Sequence, residues 1–242
     1  FMLASFSQGL NALVVGAGGG IGSALVAQLL NDKKVARLHT WARAPLAVQD
    51  ERLRTAVVDV TDESSVAQAA GQLEELNLVI VASGLLHAGQ SPEKSWRDLN
   101  RDQLMENFLV NTVGPALVAK HVLPCLPREG RAVFAVLSAR VGSIGDNRLG
   151  GWYSYRASKA ALNQIVKSLS IELSRKHPGA ICVGLHPGTV DTKLSKPFQS
   201  NVPTEKLFSA RRGAAQLLSV IDQLEADDTG QLFAWDGQAI PF

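Results

Sequence analysis

Tyr155 and Lys159 are the residues of this sequence whose types and spacing most directly suggest chemistry. Four positions apart, they share one face of a helix. A phenol with an ordinary pKa of about 10 is a poor acid or base near neutrality. An ammonium group beside it favours the phenolate and lowers that value. Such a pair can give or take a proton at a carbonyl oxygen while a hydride moves at the carbon. The same spacing also describes an exposed surface pair that contributes little. A hydride carrier would decide between these readings, and the chain offers a place for one near its start. Gly16-Ala17-Gly18-Gly19-Gly20-Ile21-Gly22 follows the apolar run Leu13-Val14-Val15, and Ile21, Leu25 and Leu29 then recur every four residues. Strand, glycine turn and helix together present bare N–H groups and the helix field to a phosphate. Gly16, Gly20 and Gly22 fit Gly-x-x-x-Gly-x-Gly, whereas Gly-x-Gly-x-x-Gly fails because Ile21 stands at its last glycine. The Gly-Lys-Ser/Thr ending of a nucleoside-triphosphate loop is missing. A purely structural glycine turn is the alternative.

The second strand end bears on which dinucleotide such a loop would take. An unphosphorylated ribose calls for an Asp or Glu roughly 20 residues after the glycines. That stretch reads Leu38-His39-Thr40-Trp41-Ala42-Arg43, and the next acid, Asp50, comes too late. A guanidinium at Arg43 suits a 2′-phosphate, so NADP(H) is favoured over NAD(H). An exposed surface arginine is the competing explanation.

The elements that must position these groups alternate along the chain. Short apolar runs end at Val58, Val81, Leu137 and Leu185, each followed by Asp59, Ala82-Ser83-Gly84, Ser138 or Pro187-Gly188 after at most one residue. Helix-like stretches lie between them: 64–76, 104–123, 154–176 and 210–224. This is the pattern of an α/β protein, a doubly wound parallel sheet with helices on both faces. Neither repeat nor linker divides the 242 residues, so one Rossmann-type domain over 1–242 is expected. The segment 196–204, with Pro197 and Pro203, reads as a mobile loop over a site. Balanced charge, 24 basic against 22 acidic side chains, argues against nucleic acid as a partner. The apolar runs look too short to span a bilayer, and no basic signal-peptide start precedes Lys33. Two unpatterned cysteines, Cys125 and Cys182, fit a reducing, cytoplasmic setting. The five histidines lack metal spacing. Trp96, Trp152 and Trp235 read as packing groups, and Trp152 and Phe198 as residues that can also line a substrate pocket.

Taken in order, these motifs resemble the short-chain dehydrogenase/reductase family over essentially the whole chain. Gly16, Gly20, Ile21 and Gly22 are similar to its cofactor loop, and Asp59-Val60 to its adenine-side acid and neighbour. Asn111-Thr112-Val113-Gly114 resembles its asparagine motif, and Tyr155 with Lys159 its catalytic pair. Pro187-Gly188-Thr189-Val190-Asp191-Thr192 resembles the segment around the nicotinamide and diphosphate. Within the family, 141–145 and 150–156 are similar to C-factor-like and sniffer-like carbonyl reductases. The resemblance implies an oxidoreductase reducing an aldehyde or ketone, or oxidising the alcohol. It makes Tyr155 the general acid, Lys159 the group that lowers its pKa and holds the ribose, and Asn111 the anchor of a relay water. Gly16, Gly20, Ile21, Gly22, Arg43, Asp59, Val60, Ala82, Gly84, Pro187, Gly188, Val190 and Thr192 would line the cofactor with Tyr155 and Lys159. A homo-oligomer, dimer or tetramer, is implied as well, near a final strand within 231–237.

Three departures qualify the match. Val15 replaces a threonine before the first glycine, and Val81-Ala82-Ser83-Gly84 replaces Asn-Asn-Ala-Gly. Aligned on Gly142, the usual carbonyl-polarising serine falls on Ala139, which leaves Ser138 as the preferred substitute and Ser143 as the alternative. A non-catalytic NADP(H)-binding sensor or signalling protein is the rival reading. An epimerase or dehydratase fits less well, because only about 50 residues follow Pro187-Gly188.

Overall fold

The apolar runs are too short for core helices and too continuous for strands with one wet face, so each must be covered on both sides. The computed structural model describes residues 3–87, 91–201 and 203–242 and sets these runs side by side in one sheet. In chain order the elements are β1 (Leu10–Val15), α1 (Gly20–Asn31), β2 (Val35–Ala42), β3 (Leu53–Val57), α2 (Glu63–Ala70) and β4 (Leu78–Val81). Then come α3 (Arg101–Phe108), α4 (Gly114–Val122), β5 (Ala132–Leu137), α5 (Tyr153–Lys176), β6 (Ala180–His186) and β7 (Thr189–Val190). The chain closes with β8 (Leu207–Phe208), α6 (Ala210–Gln223), β9 (Leu232–Ala234) and β10 (Ala239–Ile240). The main sheet runs β10-β9-β6-β5-β4-β1-β2-β3, parallel except where β10 returns against β9. A separate parallel ribbon pairs β7 with β8.

Alternate strand residues face opposite layers. Val14, Ile80, Ala135 and Val183 pack with Leu25 and Leu29 of α1 and Leu217 and Ile221 of α6. Leu13, Val79, Phe134 and Cys182 pack with Val66 of α2, Val118 of α4, and Leu162 and Val166 of α5. Each buried Val, Leu, Ile or Phe among them contributes roughly 1.5–3 kcal/mol by leaving water. The α/β class, with helices on both faces, is therefore as read from the sequence. Strand order reverses between β1 and β4, which opens a crevice at their carboxyl ends.

The differences are local and have physical causes. The helix expected over 64–76 starts at the Asp62 cap and ends at Ala70, where Gly71 closes it with a bond from its N–H to the Ala67 carbonyl (3.0 Å). The helix expected over 104–123 begins earlier, at Arg101, because Asn100 caps it by accepting from Asp102 and Gln103 N–H groups. It continues into α4 through a π turn, Leu109–Val113. Pro115 has no N–H for the Asn111 carbonyl, and the Gly114 N–H instead reaches back five residues to the Leu109 carbonyl. The expectation that no stretch could span a bilayer is corrected here: Arg101–Cys125 is one helical run of 25 residues, long and apolar enough by length and composition. In this fold it lies against α5, with the Thr112 hydroxyl donating to the Ser158 carbonyl at 2.8 Å. The expected final strand is a hairpin, β9 turning at Gly237 (φ +81°) into β10. The segment 196–204 is wound into short 3-10 turns, Lys196–Asn201 and Thr204–Lys206, between the strands of the β7–β8 ribbon. Within it, Val202 and the Phe198 side chain lie outside the described residues, so the pocket expectation for Phe198 goes with them.

Candidate active site

The glycine loop leaves β1 at the reversal of strand order. Gly16 turns with φ +81°, and a Cβ there would stand 2.7 Å from the Ser83 nitrogen beyond β4. A Cβ on Gly22 would stand 2.1 Å from the Gly16 carbonyl oxygen, so only glycine lets α1 close against the loop. Gly20 meets Thr192, whose Cγ2 would lie 2.6 Å from an added Cβ. The loop's own N–H groups at Gly16 and Ala17 are held by the Trp41 carbonyl of β2 (2.8 and 3.0 Å). At the N-cap of α1, Gly19 offers no capping side chain, which leaves the first-turn N–H groups to a ligand. Ile21 is half-buried against the core under α1. Bare backbone, tight turn and helix end together form a cradle that a diphosphate fits.

Arg43 lies exposed just past β2. Asp59 accepts from the Thr61 hydroxyl (2.7 Å) and N–H (2.9 Å), and these bonds, with Arg43 adding a smaller attraction, hold its carboxyl below the usual range. Val60 is buried and packs on Gly114 at the start of α4, where a Cβ would come within 2.9 Å of Val60 Cγ2. Ala82 is half-buried against the core.

Gly84 marks where the elements converge. A Cβ built on it would stand 3.6 Å from Asn111 Oδ1 and 3.7 Å from Lys159 Nζ. Asn111 is fully buried; its Oδ1 accepts from the Leu85 N–H (2.8 Å), and its Nδ2 donates to the Leu85 carbonyl (2.7 Å) and Ser158 Oγ (3.1 Å). Its amide is thus spent on joining the β4 exit to α5. Lys159 Nζ donates to the Leu137 carbonyl at 2.8 Å and lies 5.9 Å from the centre of the Tyr155 ring. Gly142 presses on the same turn of α5, since a Cβ there would stand 2.7 Å from Lys159 Cβ. The Trp152 ring meets Tyr155 edge-on at 6.3 Å.

The expected electrostatics of the pair need correcting. The lysine does not lower the phenol here: burial pushes Tyr155 up to about 12 and Lys159 down to about 7. Both shifts have one cause, the penalty that burial places on charge. At the end of β6, burial pushes His186 down to about 4, with Arg140 adding to the effect and Asp236 opposing it.

The serines part company. Ser138 lies on the same face of the strand as Val136 and Phe134, and its Oγ donates to Asn163 Oδ1 at 2.6 Å. Asn163 is eight residues beyond Tyr155, about 12 Å along the helix. Ala139, buried, begins the 3-10 turn Arg140–Gly142. Ser143 Oγ accepts from the Asp146 N–H (3.0 Å), directly after the Gly142 that touches Lys159. Beyond β6, Gly188 (φ +73°) turns between Phe208 and Trp235, which stack edge-on at 4.7 Å. Val190 is buried in the ribbon, and Thr192 meets the glycine loop.

Reading the sequence missed Asn107, Ser158, Asn163 and Glu93, all buried. Asn107 and Asn163 stand four residues from Asn111 and Lys159, and Ser158 three from Tyr155, a usable signal. Glu93, between Pro92 and Lys94, has the local sequence of a solvated loop.

Comparison with known proteins bears on this arrangement. A family model described as short chain dehydrogenase matches residues 10–203. The chain is similar to 1-hydroxy-2-glutathionyl-2-methyl-3-butene dehydrogenase of Rhodococcus sp. (strain AD45), 33% identical over 234 residues, 93% of this chain and 96% of that one. It superposes on the carbonyl reductase Sniffer of D. melanogaster with a TM-score of 0.84 at 25% identity, covering 97% and 100% of the two chains. An NADPH-bound carbonyl reductase from chicken fatty liver gives a TM-score of 0.82 at 26% identity, covering 98% and 100%.

Proposed function

The chain belongs to the short-chain dehydrogenase family, and from that premise we propose that it is an NADP(H)-dependent carbonyl reductase, working on an aldehyde or ketone or, in reverse, on the alcohol. The observation that carries the reading is the convergence at Gly84: Asn111 and Lys159 flank a bare backbone position, with Tyr155 one helical turn from Lys159. The relatives add weight, because two carbonyl reductases share the fold along nearly the whole chain and one of them holds NADPH.

In this reading Gly16, Gly20, Ile21 and Gly22 hold the diphosphate with Thr192, and Arg43 holds the 2′-phosphate. Asp59 and Val60 border the adenine, and Ala82, Gly84, Pro187, Gly188 and Val190 border the rest of the cofactor. A bound NADP(H) supplies or accepts the hydride. Tyr155 gives its proton to the carbonyl oxygen, a task suited to a phenol that burial keeps protonated at neutral pH. Lys159, pushed down to about 7, changes charge readily near neutrality and can return the proton along the relay. The Asn111 carbonyl, denied an N–H by Pro115, is the group we assign to hold a relay water, since the side-chain amide is committed to protein. Polarisation of the carbonyl falls to Ser143 rather than Ser138, whose proton goes to Asn163. The half-buried Trp152 ring beside Tyr155 suits a small apolar or aromatic carbonyl. We also propose a homo-oligomer, a dimer or tetramer, in the cytoplasm, with no nucleic-acid or membrane partner.

Replacing Tyr155 by Phe tests the assignment. NADPH-dependent turnover of carbonyls should fall about 100- to 10,000-fold while NADPH binding changes little; unchanged turnover would refute it. Ala139 at the usual serine position favours a second reading, a binder without turnover. NADPH oxidation across a panel of aldehydes and ketones separates the two.

A further inference from the structure

We propose that Glu93 is a positioning residue for Tyr155: buried beneath the first turn of α5, it takes over the capping that this helix lacks and so fixes the attitude of the phenol. The proposal rests on the reading of Tyr155 as the proton donor.

The entry to α5 is unusual. Three successive residues, Gly150 (φ +63°), Gly151 (φ +66°) and Trp152 (φ +52°), are left-handed, and the third is not glycine. Such a conformation is strained for a non-glycine residue and needs support from its surroundings. The capping position falls to Trp152, which has no side-chain oxygen to offer, and the first turn contains no acid. The first N–H groups of a helix have no partners within it. Glu93, from the loop between β4 and α3, supplies them. Its backbone carbonyl accepts from the Trp152 N–H at 2.6 Å. Its carboxylate accepts from the Ser154 N–H, 3.3 Å from each oxygen, and from the Ser154 hydroxyl.

Glu93 is only 2% exposed, and the positive field of the helix end favours a carboxylate there. Gly151, left-handed at φ +66°, makes the turn that brings the two segments together beside the Glu93 carbonyl. The loop is itself fastened: Lys94 and Ser95 N–H groups donate to Asp98, and Gln103 of α3 donates to the Ser91 carbonyl. Tyr155 follows Ser154 directly, and its ring abuts the ring of Trp152. One residue thus holds both sides of the phenol, its carboxylate fixing the backbone at Ser154 and its main-chain carbonyl fixing Trp152, whose ring lies beside Tyr155.

The test uses Glu93→Gln, Glu93→Ala and Ser154→Ala in the full chain. With NADPH and a carbonyl substrate, Glu93→Ala should lower kcat about 10- to 100-fold, the scale of a small misplacement of a reacting group, while KM and NADPH affinity move less than about threefold. Glu93→Gln, which keeps the shape, should recover part of that loss, and Ser154→Ala should fall between it and wild type. Two readouts need no turnover. Amide exchange should quicken over residues 153–157 and not along the rest of α5. The Tyr155 phenolate, followed by ultraviolet absorbance against Tyr155→Phe, should titrate nearer its ordinary 10.0 than about 12 as the first turn admits water. Unchanged kcat and titration in Glu93→Gln and Ser154→Ala would overturn the proposal. So would equal losses of kcat and NADPH affinity, or exchange quickening along all of α5, because those mark a general structural role. If Glu93→Ala does not fold, the two milder variants decide by the same criteria. If wild type turns over no carbonyl, the reductase reading fails while exchange and titration still decide for or against Glu93.

Discussion

Burial sets the protonation of Lys159 and His186, and each direction carries a stability consequence. In the unfolded chain Lys159 titrates near its ordinary 10.5, and in the fold near 7. Between those values the unfolded chain holds a proton that the folded one has released. Stability should therefore rise with pH across that window, with the full cost of the buried charge felt below it. Urea unfolding of wild type against Lys159→Met checks this, and the variant should lose the slope. His186 titrates near 6.5 unfolded and about 4 folded, so stability should fall as pH falls between those values. His186→Gln should flatten that acid limb, and an unchanged limb would place its cause elsewhere. Arg43 makes a different prediction. Arg43→Ala should raise the KM for NADPH about tenfold or more and leave that for NADH nearly unchanged; equal effects would remove Arg43 from the 2′-phosphate site. Tyr155, Lys159 and the glycines stand out in the sequence by type and spacing, whereas Asn111 stands out only through the family resemblance. Their protonation was not, since it depends on burial by segments far away in sequence.

At the level of elements, the glycine loop shows what a side chain would cost. A Cβ on Gly22 collides with the Gly16 carbonyl, whereas one on Gly18 meets Ala42 Cβ at 3.6 Å and Leu46 Cδ2 at 3.8 Å, both ordinary contacts. Gly22→Ala should cost roughly 1–3 kcal/mol of stability and most of the NADPH affinity, while Gly18→Ala leaves the unfolding temperature where it was. Paired thermal melts and NADPH titrations would show it. Strands β4 and β5 were legible to the residue, because buried parallel strands are bare apolar runs between polar stops. The serine at the end of β5 was not, for a physical reason: one residue along a strand reverses the face. That reversal directs Ser138 toward Asn163 on α5. Nor was the π turn at Asn111 visible beforehand, although Pro115 four residues on was a signal for it. Glu93 was hidden because its partner lies 61 residues away.

Across the whole molecule, the candidate cofactor cradle draws on separated parts of the chain. Gly16 touches the segment after β4, Gly20 touches Thr192 beyond β7, and Asn111 joins Leu85 to α5. A ligand seated there braces both halves of the sheet. NADPH at about 100 times its Kd should add about 2.7 kcal/mol and raise the melting temperature by roughly 5–10 °C. The alternation of runs made the sheet readable in outline, but the closing hairpin and the two-residue ribbon were too short to leave a pattern.

The left-handed Trp152 sets survival at high temperature against speed at this one codon. Glycine or asparagine would sit there with less backbone cost but without the indole against Tyr155. In laboratory evolution, libraries screened only for heat resistance should enrich those two residues at 152, and libraries screened for rate should keep the tryptophan.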